Sequence, residues 1–334
     1  MNNRKIIIVL VLAILIAGTF FFVKAKKDKQ PGDTKKQAEV NKNVNPLTGL
    51  EFEGKPMIRP FIVSTDNDSY LSRPQAGISQ ADILYEVPIE GGGSRYEPIY
   101  YSKKPGLIGA IRSCRPYIIN LAREYNAVLV HNGKSPQAKQ IFSTINRVNA
   151  EDDFDIYHTE KNPNLPGNLY TYGDKVVKRI AKRGFDKKKT IRTFPWLKDG
   201  ESVSGENAKT ITVNYADGAY NTFEYDDSRK LYTKYVKGKK LIDANNNKVI
   251  TCANILVQEV PFKLYDQNSG RLNIDLTRGG KAAMFTQGKV VKGTWERKDL
   301  DSPTIFKDEK GNEFKMTPGV TCVQIIDSTV KFKY

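Results

Sequence analysis

The stretch PYIINLAREYNAVLVH at residues 116–131 predicts a helix that leads directly into a buried strand. Pro116 suits the first turn of a helix, where its missing N–H is not needed, and AVLVH at residues 127–131 is a short apolar run. The same half of the chain holds two more predicted helices, at residues 136–146 and 173–183, and predicted strands at residues 60–63, 81–90 and 97–101. Because helices and strands alternate, residues 45–190 are predicted to form a mixed α/β layered domain.

The part of the chain from residue 205 onward carries a different pattern, in which the helical period disappears. Short runs of β-branched and aromatic residues, such as TITVNY at residues 210–215, are separated by turn signals such as Gln287-Gly288. This pattern is typical of an all-β barrel or sandwich, which is predicted over residues 205–334. The predicted fold class is therefore α+β: a mixed α/β layered N-terminal domain followed by an all-β C-terminal domain.

Composition limits the classes of function. The 334 residues include 53 Lys and Arg against 37 Asp and Glu, a net charge of +16, and 39% are hydrophobic, which is enough for a folded core. The three cysteines form no CxxC pair and there are two histidines, so no metal site is expected and no cofactor is predicted. Nucleic acid is not an expected partner, because the lysines are dispersed and no recognition helix or RNP-like aromatic motif is present.

An uncharged apolar segment at residues 6–23 predicts a membrane tether. At about 1.5 Å per residue, a helix of that length spans about 27 Å, close to the hydrocarbon thickness of a bilayer. The predicted arrangement is a single-pass signal anchor in the cell membrane, with residues 1–5 in the cytoplasm, residues 24–44 as a flexible basic linker and the bulk of the chain extracytoplasmic. Two alternatives stay open: cleavage at Val23-Lys24-Ala25, and a cytoplasmic body, which the lysines after the segment would favour.

The strand DILYEVPIE at residues 82–90 carries the first candidate site. Alternation places Glu86 and Glu90 on one face, just before three glycines, and such carboxylates suit general acid–base catalysis. Four residues of strand span about 13 Å, more than the roughly 5–9.5 Å between glycosidase carboxylates, so a catalytic pair would need a partner such as Asp66. The alternatives are a solvated strand face and ion pairs with arginines.

A second candidate site lies in GAIRSCRP at residues 109–116, which leads into the first predicted helix. Arg112, Ser113 and Arg115 lie at the helix N-terminus, where free N–H groups, the helix dipole and paired guanidinium hydrogen bonds favour an anion. The alternative is that both arginines pair internally with Glu86 or Glu90 and only stabilise the fold. The full predicted ligand-binding set is Arg112, Ser113, Arg115, Asp66, Asn67 and Arg95.

His131 ends a predicted apolar strand, and strand ends of this kind face the ligand crevice in α/β domains. It is therefore a candidate proton carrier, with a half-buried structural histidine as the alternative. A Cys114 nucleophile is not favoured, because no third orienting group is evident. Trp295 could stack on a sugar, although a core position is favoured. Whether the protein is an enzyme stays open, and the catalytic candidates are Glu86, Glu90, Asp66 and His131.

A set of short motifs lies in fixed order along the chain: NPLTG at residues 45–49, RPQAG at 73–77, ADILYE at 81–86, IGAIRS at 108–113, HNG at 131–133, NILVQ at 254–258, GTW at 293–295 and TPGVT at 317–321. Their order and spacing resemble the YerB-like family of bacterial lipoproteins over nearly all of residues 45–327. The resemblance implies an N-terminal domain of unknown function, a distinct C-terminal domain and display on the outside of the membrane.

The chain departs from the family pattern at two places. No cysteine precedes Cys114, where the family carries a lipobox cysteine, so the apolar segment at residues 6–23 would be the anchor. At residues 166–168 the chain reads PGN where the family has Pro-His-Asn, so a catalytic histidine at that position would be missing.

The leading functional prediction is a membrane-anchored extracytoplasmic envelope protein. It would bind an anionic or glycan component of the cell wall through an arginine and carboxylate cleft in the N-terminal domain. One alternative is an enzyme that cleaves wall glycan with a Glu/Asp acid–base pair in the same cleft. The other is an interaction scaffold, whose partner is another envelope protein that docks on the β-rich domain.

Overall fold

The computed structural model describes residues 43–67, 72–144, 150–152, 157–158, 169–216, 219–265 and 267–334. Four parts of the sequence lie outside these ranges: the predicted anchor, residues 1–5 with their predicted cytoplasmic location, the predicted linker as far as residue 42, and the PGN motif. Residues 43–334 form one compact structural unit. No helix within the described ranges is long and apolar enough to cross a membrane.

Strands make up most of the secondary structure in the described residues. In the first half of the chain they are β1 (Asn43–Val44), β2 (Glu51–Phe52), β3 (Phe61–Val63), β4 (Thr65–Asp66), β5 (Ile83–Pro88), β6 (Ser94–Tyr100), β7 (Leu107–Gly109), β8 (Val128–His131), β9 (Ala150–Asp152), β10 (Tyr157–His158) and β11 (Leu169–Tyr172). Three α-helices are described: α1 (Pro116–Glu124), α2 (Pro136–Thr144) and α3 (Gly173–Lys182). Short 3-10 turns lie at Ile78–Gln80 and Glu90–Gly92.

The second half of the described chain contains strands and no described helix. The strands are β12 (Glu206–Asn207), β13 (Thr210–Ala216), β14 (Ala219–Asp226), β15 (Leu231–Val236), β16 (Lys239–Lys240), β17 (Thr251–Cys252), β18 (Asn254–Glu259), β19 (Phe262–Leu264), β20 (Leu272–Ile274), β21 (Gly280–Thr286), β22 (Lys289–Glu296), β23 (Ile305–Asp308), β24 (Thr321–Ile326) and β25 (Lys331–Lys333).

One mixed sheet runs through both halves of the chain. Its order is β12-β22-β21-β18-β24-β5-β6-β3-β8-β9, with β23 beside β22 and β4 beside β6. Strand β24 lies between β18 and β5 and is parallel to both, so that Cys322 is opposite Leu84 and Val323 is opposite Tyr85. All six residues of β24 are buried. This strand therefore joins the two halves through continuous backbone hydrogen bonds.

A second sheet covers one face of this main sheet. Its order is β16-β15-β14-β13-β25, with β17 beside β15. Leu84 of β5 packs in one apolar cluster with Phe223 and Tyr232 of the second sheet. On the opposite face of β5, Tyr85 belongs to the cluster that includes Tyr117 of α1. Because both faces are covered, every residue of β5 is buried.

The predicted fold class is wrong, although the predicted helices are present. The three segments predicted as helices fold as α1, α2 and α3. A layered α/β domain needs helices packed on a sheet of its own, but here the sheet is shared with strands from the second half of the chain. The strands after residue 205 in turn divide among the main sheet, the second sheet and a two-stranded sheet of β19 and β20. The described fold is therefore predominantly β.

The contact between the two sheets generates a prediction about stability. Leu84→Ala should lower the free energy of unfolding by about 2–5 kcal/mol, because it leaves a cavity between the sheets. Urea denaturation, followed by far-UV circular dichroism and by tryptophan fluorescence, measures the change, and both signals should report one transition. The matched control is Leu264→Ala, at a leucine that is 58% exposed, with a change below about 0.5 kcal/mol. Equal stability of the two variants would contradict the core position of Leu84.

Candidate functional site

Glu86 forms a buried ion pair with Lys234 between the two sheets. Nζ of Lys234 lies 2.6 Å from Oε2 of Glu86, and the two side chains are 0% and 2% exposed. The ammonium group also faces the rings of Phe223, at 4.7 Å from the centroid, and Tyr96, at 5.2 Å. The pair is thus removed from water, and the charge of each partner is compensated by the other.

Three further donors complete the surroundings of Glu86. Nδ2 of Asn67, at 3.0 Å, and Oγ of Ser94, at 2.8 Å, donate to Oε1. Nδ2 of Asn221 donates to Oε2 at 2.8 Å. Each carboxylate oxygen therefore accepts two hydrogen bonds, which suits a carboxylate that orients its neighbours. The expectation of a solvated strand face is wrong for Glu86, because the second sheet covers that face.

Strand alternation explains how the sequence brings this pair together. Glu86 shares its face of β5 with Leu84, and in β15 (LYTKYV) Lys234 shares its face with Tyr232 and Val236. Lys234 is thus a lysine on an otherwise apolar face, which is a readable signal that the prediction missed. Asn221 was also missed, and an asparagine in an alternating strand offers no comparable signal.

Asp66 and Arg112 form a second pair, nearer the surface. Oδ2 of Asp66 accepts hydrogen bonds from Nη2 of Arg112, at 2.6 Å, and from Oγ of Ser72, at 2.5 Å. The Asp66 side chain is 3% exposed, whereas that of Arg112 is 24% exposed. The guanidinium group of Arg112 is therefore held by a buried carboxylate and remains accessible from solvent.

Arg95 and Arg115 meet at Ser113. Arg115 pairs with Glu90, with Nε 3.3 Å from Oε2, and its Nη1 donates to Oγ of Ser113 at 2.9 Å. Nη1 of Arg95 donates to the backbone carbonyl of Ser113. The backbone of Arg95 is opposite that of Asp66 in the pairing of β4 with β6. We call this set the arginine cluster: Asp66, Glu90, Arg95, Arg112, Ser113 and Arg115.

The arginine cluster carries an excess of positive charge. Burial raises the pKa of Glu90, but the hydrogen bond and charge of Arg115 outweigh it, so the pKa is lowered overall and the carboxylate is ionised. Burial raises the pKa of the neighbouring Glu97 well above its usual range, although the positive charge of Arg95 opposes this effect. The raised pKa favours a neutral Glu97 carboxyl. Counted over the whole arginine cluster, three guanidinium groups thus exceed two carboxylates, which pair as Asp66 with Arg112 and Glu90 with Arg115.

The other residues singled out in the sequence lie in packing positions. His131 is buried at the end of β8, where Nδ1 lies 2.9 Å from the carbonyl of Gly133 and the ring stacks on Phe142. Cys114 is buried in the cluster around α1. Trp295 is 2% exposed and its Nε1 donates to the carbonyl of Glu259 at 2.6 Å, so its predicted core position is confirmed. In the described ranges, no group of three or more His, Cys, Asp or Glu is arranged to hold a metal ion.

Comparison with known proteins assigns the chain to a family. A domain described as "Protein of unknown function (DUF3048) N-terminal domain" matches residues 47–186, and the corresponding C-terminal domain matches residues 211–323. The chain therefore belongs to the DUF3048 family. In this structure the regions matched by the two domains contribute strands to the same main sheet.

A sequence comparison and a structure comparison both find similarity to YerB of Bacillus subtilis. The protein named "Putative lipoprotein YerB", from strain 168, is 28% identical over 314 residues, which is 92% of each chain. The crystal structure of the YerB protein from Bacillus subtilis has a TM-score of 0.77 and 26% identity, and the match covers 88% of this chain and 100% of that one. The resemblance to the YerB-like family is confirmed.

The buried ion pair predicts strongly non-additive effects on stability. Lys234→Met should lower the free energy of unfolding by about 3–5 kcal/mol, because the Glu86 charge is left buried without its partner. The double variant Glu86→Gln/Lys234→Met should recover most of that loss, since no buried charge remains. A double-mutant cycle in urea measures the coupling, with Lys240→Met on an exposed lysine as the control. A cost for Lys234→Met no larger than that of the control would contradict the pairing.

Glu97 predicts a pH dependence of stability. Its pKa is raised in the folded protein, so the unfolded state ionises first as the pH rises above 4.5, and the wild type loses stability relative to Glu97→Gln. The free energy of unfolding of Glu97→Gln minus that of the wild type should therefore grow from about pH 4 to about pH 7 in urea titrations. Glu53→Gln, at an exposed position, is the control for the loss of one glutamate charge. A constant difference for Glu97→Gln would show that this carboxyl titrates normally.

Proposed function

We propose that the protein is a membrane-attached extracytoplasmic envelope protein that binds an anionic or glycan component of the cell wall through the arginine cluster. The observation that carries the proposal is the guanidinium group of Arg112, which is held by the buried Asp66, remains accessible from solvent, and is next in sequence to Ser113, where the buried Arg95 and Arg115 meet. Guanidinium groups held in place by buried partners suit carboxylate or phosphate groups, because their hydrogen-bond donors are already oriented.

Three further observations support this function. The chain has a net charge of +16, which favours association with polyanions. The N-cap of α1 is Arg115, whose side chain makes no capping hydrogen bond, so the positive end of this helix adds to the cluster. The related YerB protein carries a lipoprotein designation in its name, which supports attachment at the outer side of a membrane.

The enzyme alternative receives less support from the geometry. Both carboxylate oxygens of Glu86 are occupied, and the pKa of Glu90 is lowered below its usual range by Arg115 despite the opposing effect of burial. A general acid needs a carboxyl that can reach the substrate and holds its proton near the working pH, so the fully hydrogen-bonded Glu86 and the ionised Glu90 do not suit that role. The scaffold alternative requires a partner protein that docks on the β-rich half.

Arg112→Gln tests the arginine cluster as a binding site. The full-length variant should bind purified cell walls about tenfold or more weakly than the wild type in a sedimentation assay, because one charge-assisted hydrogen-bonding group is lost. Wild-type binding should also weaken as salt is added. Arg123→Gln is the matched control, because Arg123 likewise pairs with an aspartate, Asp301, at 2.7 Å, but outside the cluster.

Three results would count against the proposal. Equal wall binding by both variants would remove the arginine cluster as the binding site. Loss of the circular dichroism signal in Arg112→Gln alone would assign this arginine to folding. New soluble glycan products in the supernatant would favour the enzyme.

A further inference from the structure

A polar pocket of about 230 Å³ lies where the turn between β5 and β6 meets the second sheet. Its described lining includes the three glycines at residues 91–93, Asn67 and Glu86 on one side, and Tyr215, Tyr220 and Asn221 on the other. Drug-sized ligands occupy roughly 300–1,000 Å³, so this pocket has room for one small group, such as a single sugar ring. It lies between the regions that the two family domains match.

The described lining of the pocket carries an excess of positive charge. The charged residues in its described lining are Arg73, Glu86 and Lys237. The charge of Glu86 is already compensated by Lys234, which lies behind it. Arg73 and Lys237 therefore leave the described lining positive, and an anionic group on the ligand would balance them.

Arg73 is held in a fixed orientation towards this pocket. Its Nε and Nη2 donate to Oδ1 of Asn67 at 3.2 and 2.9 Å, and its Nη1 makes no hydrogen bond within the described residues. Lys237 is exposed and has no ion pair in the described part of the chain. One oriented guanidinium donor and one flexible ammonium group are thus available to the same anion.

The remaining lining suits the ring and hydroxyl groups of a sugar. Tyr220 is 37% exposed and Tyr215 is half-buried, so aromatic surface is available for packing against an apolar sugar face. Gly91 has a φ of 77°, and a Cβ at that residue would meet nothing within 4 Å, so the rim of the pocket is open backbone. A small aromatic surface with a few fixed polar groups is typical of a specific small-ligand site.

We propose that this pocket binds one sugar unit that carries an anionic group, either a carboxylate or a phosphate. This inference rests on the proposed function, because an anionic wall glycan would be the source of that sugar. It adds the chemical identity of the sugar unit that the protein recognises. The contacts that carry it are the anion with Arg73 and Lys237 and the sugar ring with the two tyrosines.

The test compares three sugars that differ at one carbon. Glucuronic acid, glucose 6-phosphate and glucose are titrated into the full-length protein by isothermal calorimetry. At least one anionic sugar should bind about tenfold or more tightly than glucose, because the charge-assisted hydrogen bonds are worth that factor. Binding of inorganic phosphate as tight as that of glucose 6-phosphate would overturn the sugar part of the proposal. Equal binding of glucose, or no binding of either anionic sugar, would overturn all of it.

Two matched lysine variants place the binding in this pocket. Lys237 has a φ of 51° and Lys230, on the neighbouring turn, has a φ of 54°, and both are exposed. Asparagine tolerates this left-handed backbone, so Lys237→Asn and Lys230→Asn remove one charge each at similar conformational cost. Lys237→Asn should weaken binding of the anionic sugar about tenfold, and Lys230→Asn should leave it unchanged. Equal affinities of the two variants would overturn the assignment to this pocket.

Failure of this inference is distinguishable from failure of the proposed function. If Arg112→Gln loses wall binding while no anionic sugar binds, the pocket is wrong and the arginine cluster stands. If an anionic sugar binds and depends on Lys237 while wall binding ignores Arg112, the pocket stands and the arginine cluster is wrong.

Discussion

The ion pair between Glu86 and Lys234 is the contact on which the rest of the site depends. It connects β5 of the main sheet with β15 of the second sheet in a place without solvent, where either charge alone would be strongly unfavourable. The same carboxylate accepts hydrogen bonds from Asn67 and Asn221, and Asn67 in turn holds Arg73. One buried carboxylate therefore orients the polar groups on both sides of the pocket.

Strand β24 gives this arrangement its rigidity. It brings a fully buried row from the end of the chain against β5, so the regions matched by the two family domains share one hydrogen-bonded sheet. The arginine cluster is built on the neighbouring β4 and β6 and on the start of α1. Anionic groups held there and in the pocket would thus be presented by strands whose relative positions are set by the core, which is favourable for preorganised binding.

Structural features that depend on local sequence signals could be predicted, whereas features that depend on contacts between distant segments could not. The three helices could be predicted because proline placement and apolar spacing lie within each segment. The fold class could not, because Leu84 meets Cys322 from the far end of the chain, and alternation in a strand does not name its neighbour. The face of Glu86 was predicted correctly, but what covers it was not. Pairing of Arg115 with Glu90 was foreseen as an alternative, whereas the lysine partner of Glu86 was overlooked.

The position of β24 also bears on how the chain reaches its native state. Synthesis proceeds from the N-terminus, so β5 emerges long before residues 321–326 and keeps one open edge until they arrive. An open, apolar strand edge invites pairing with other chains, and contacts between distant segments form slowly. The nascent polypeptide therefore completes its central sheet only when almost all of it has been made.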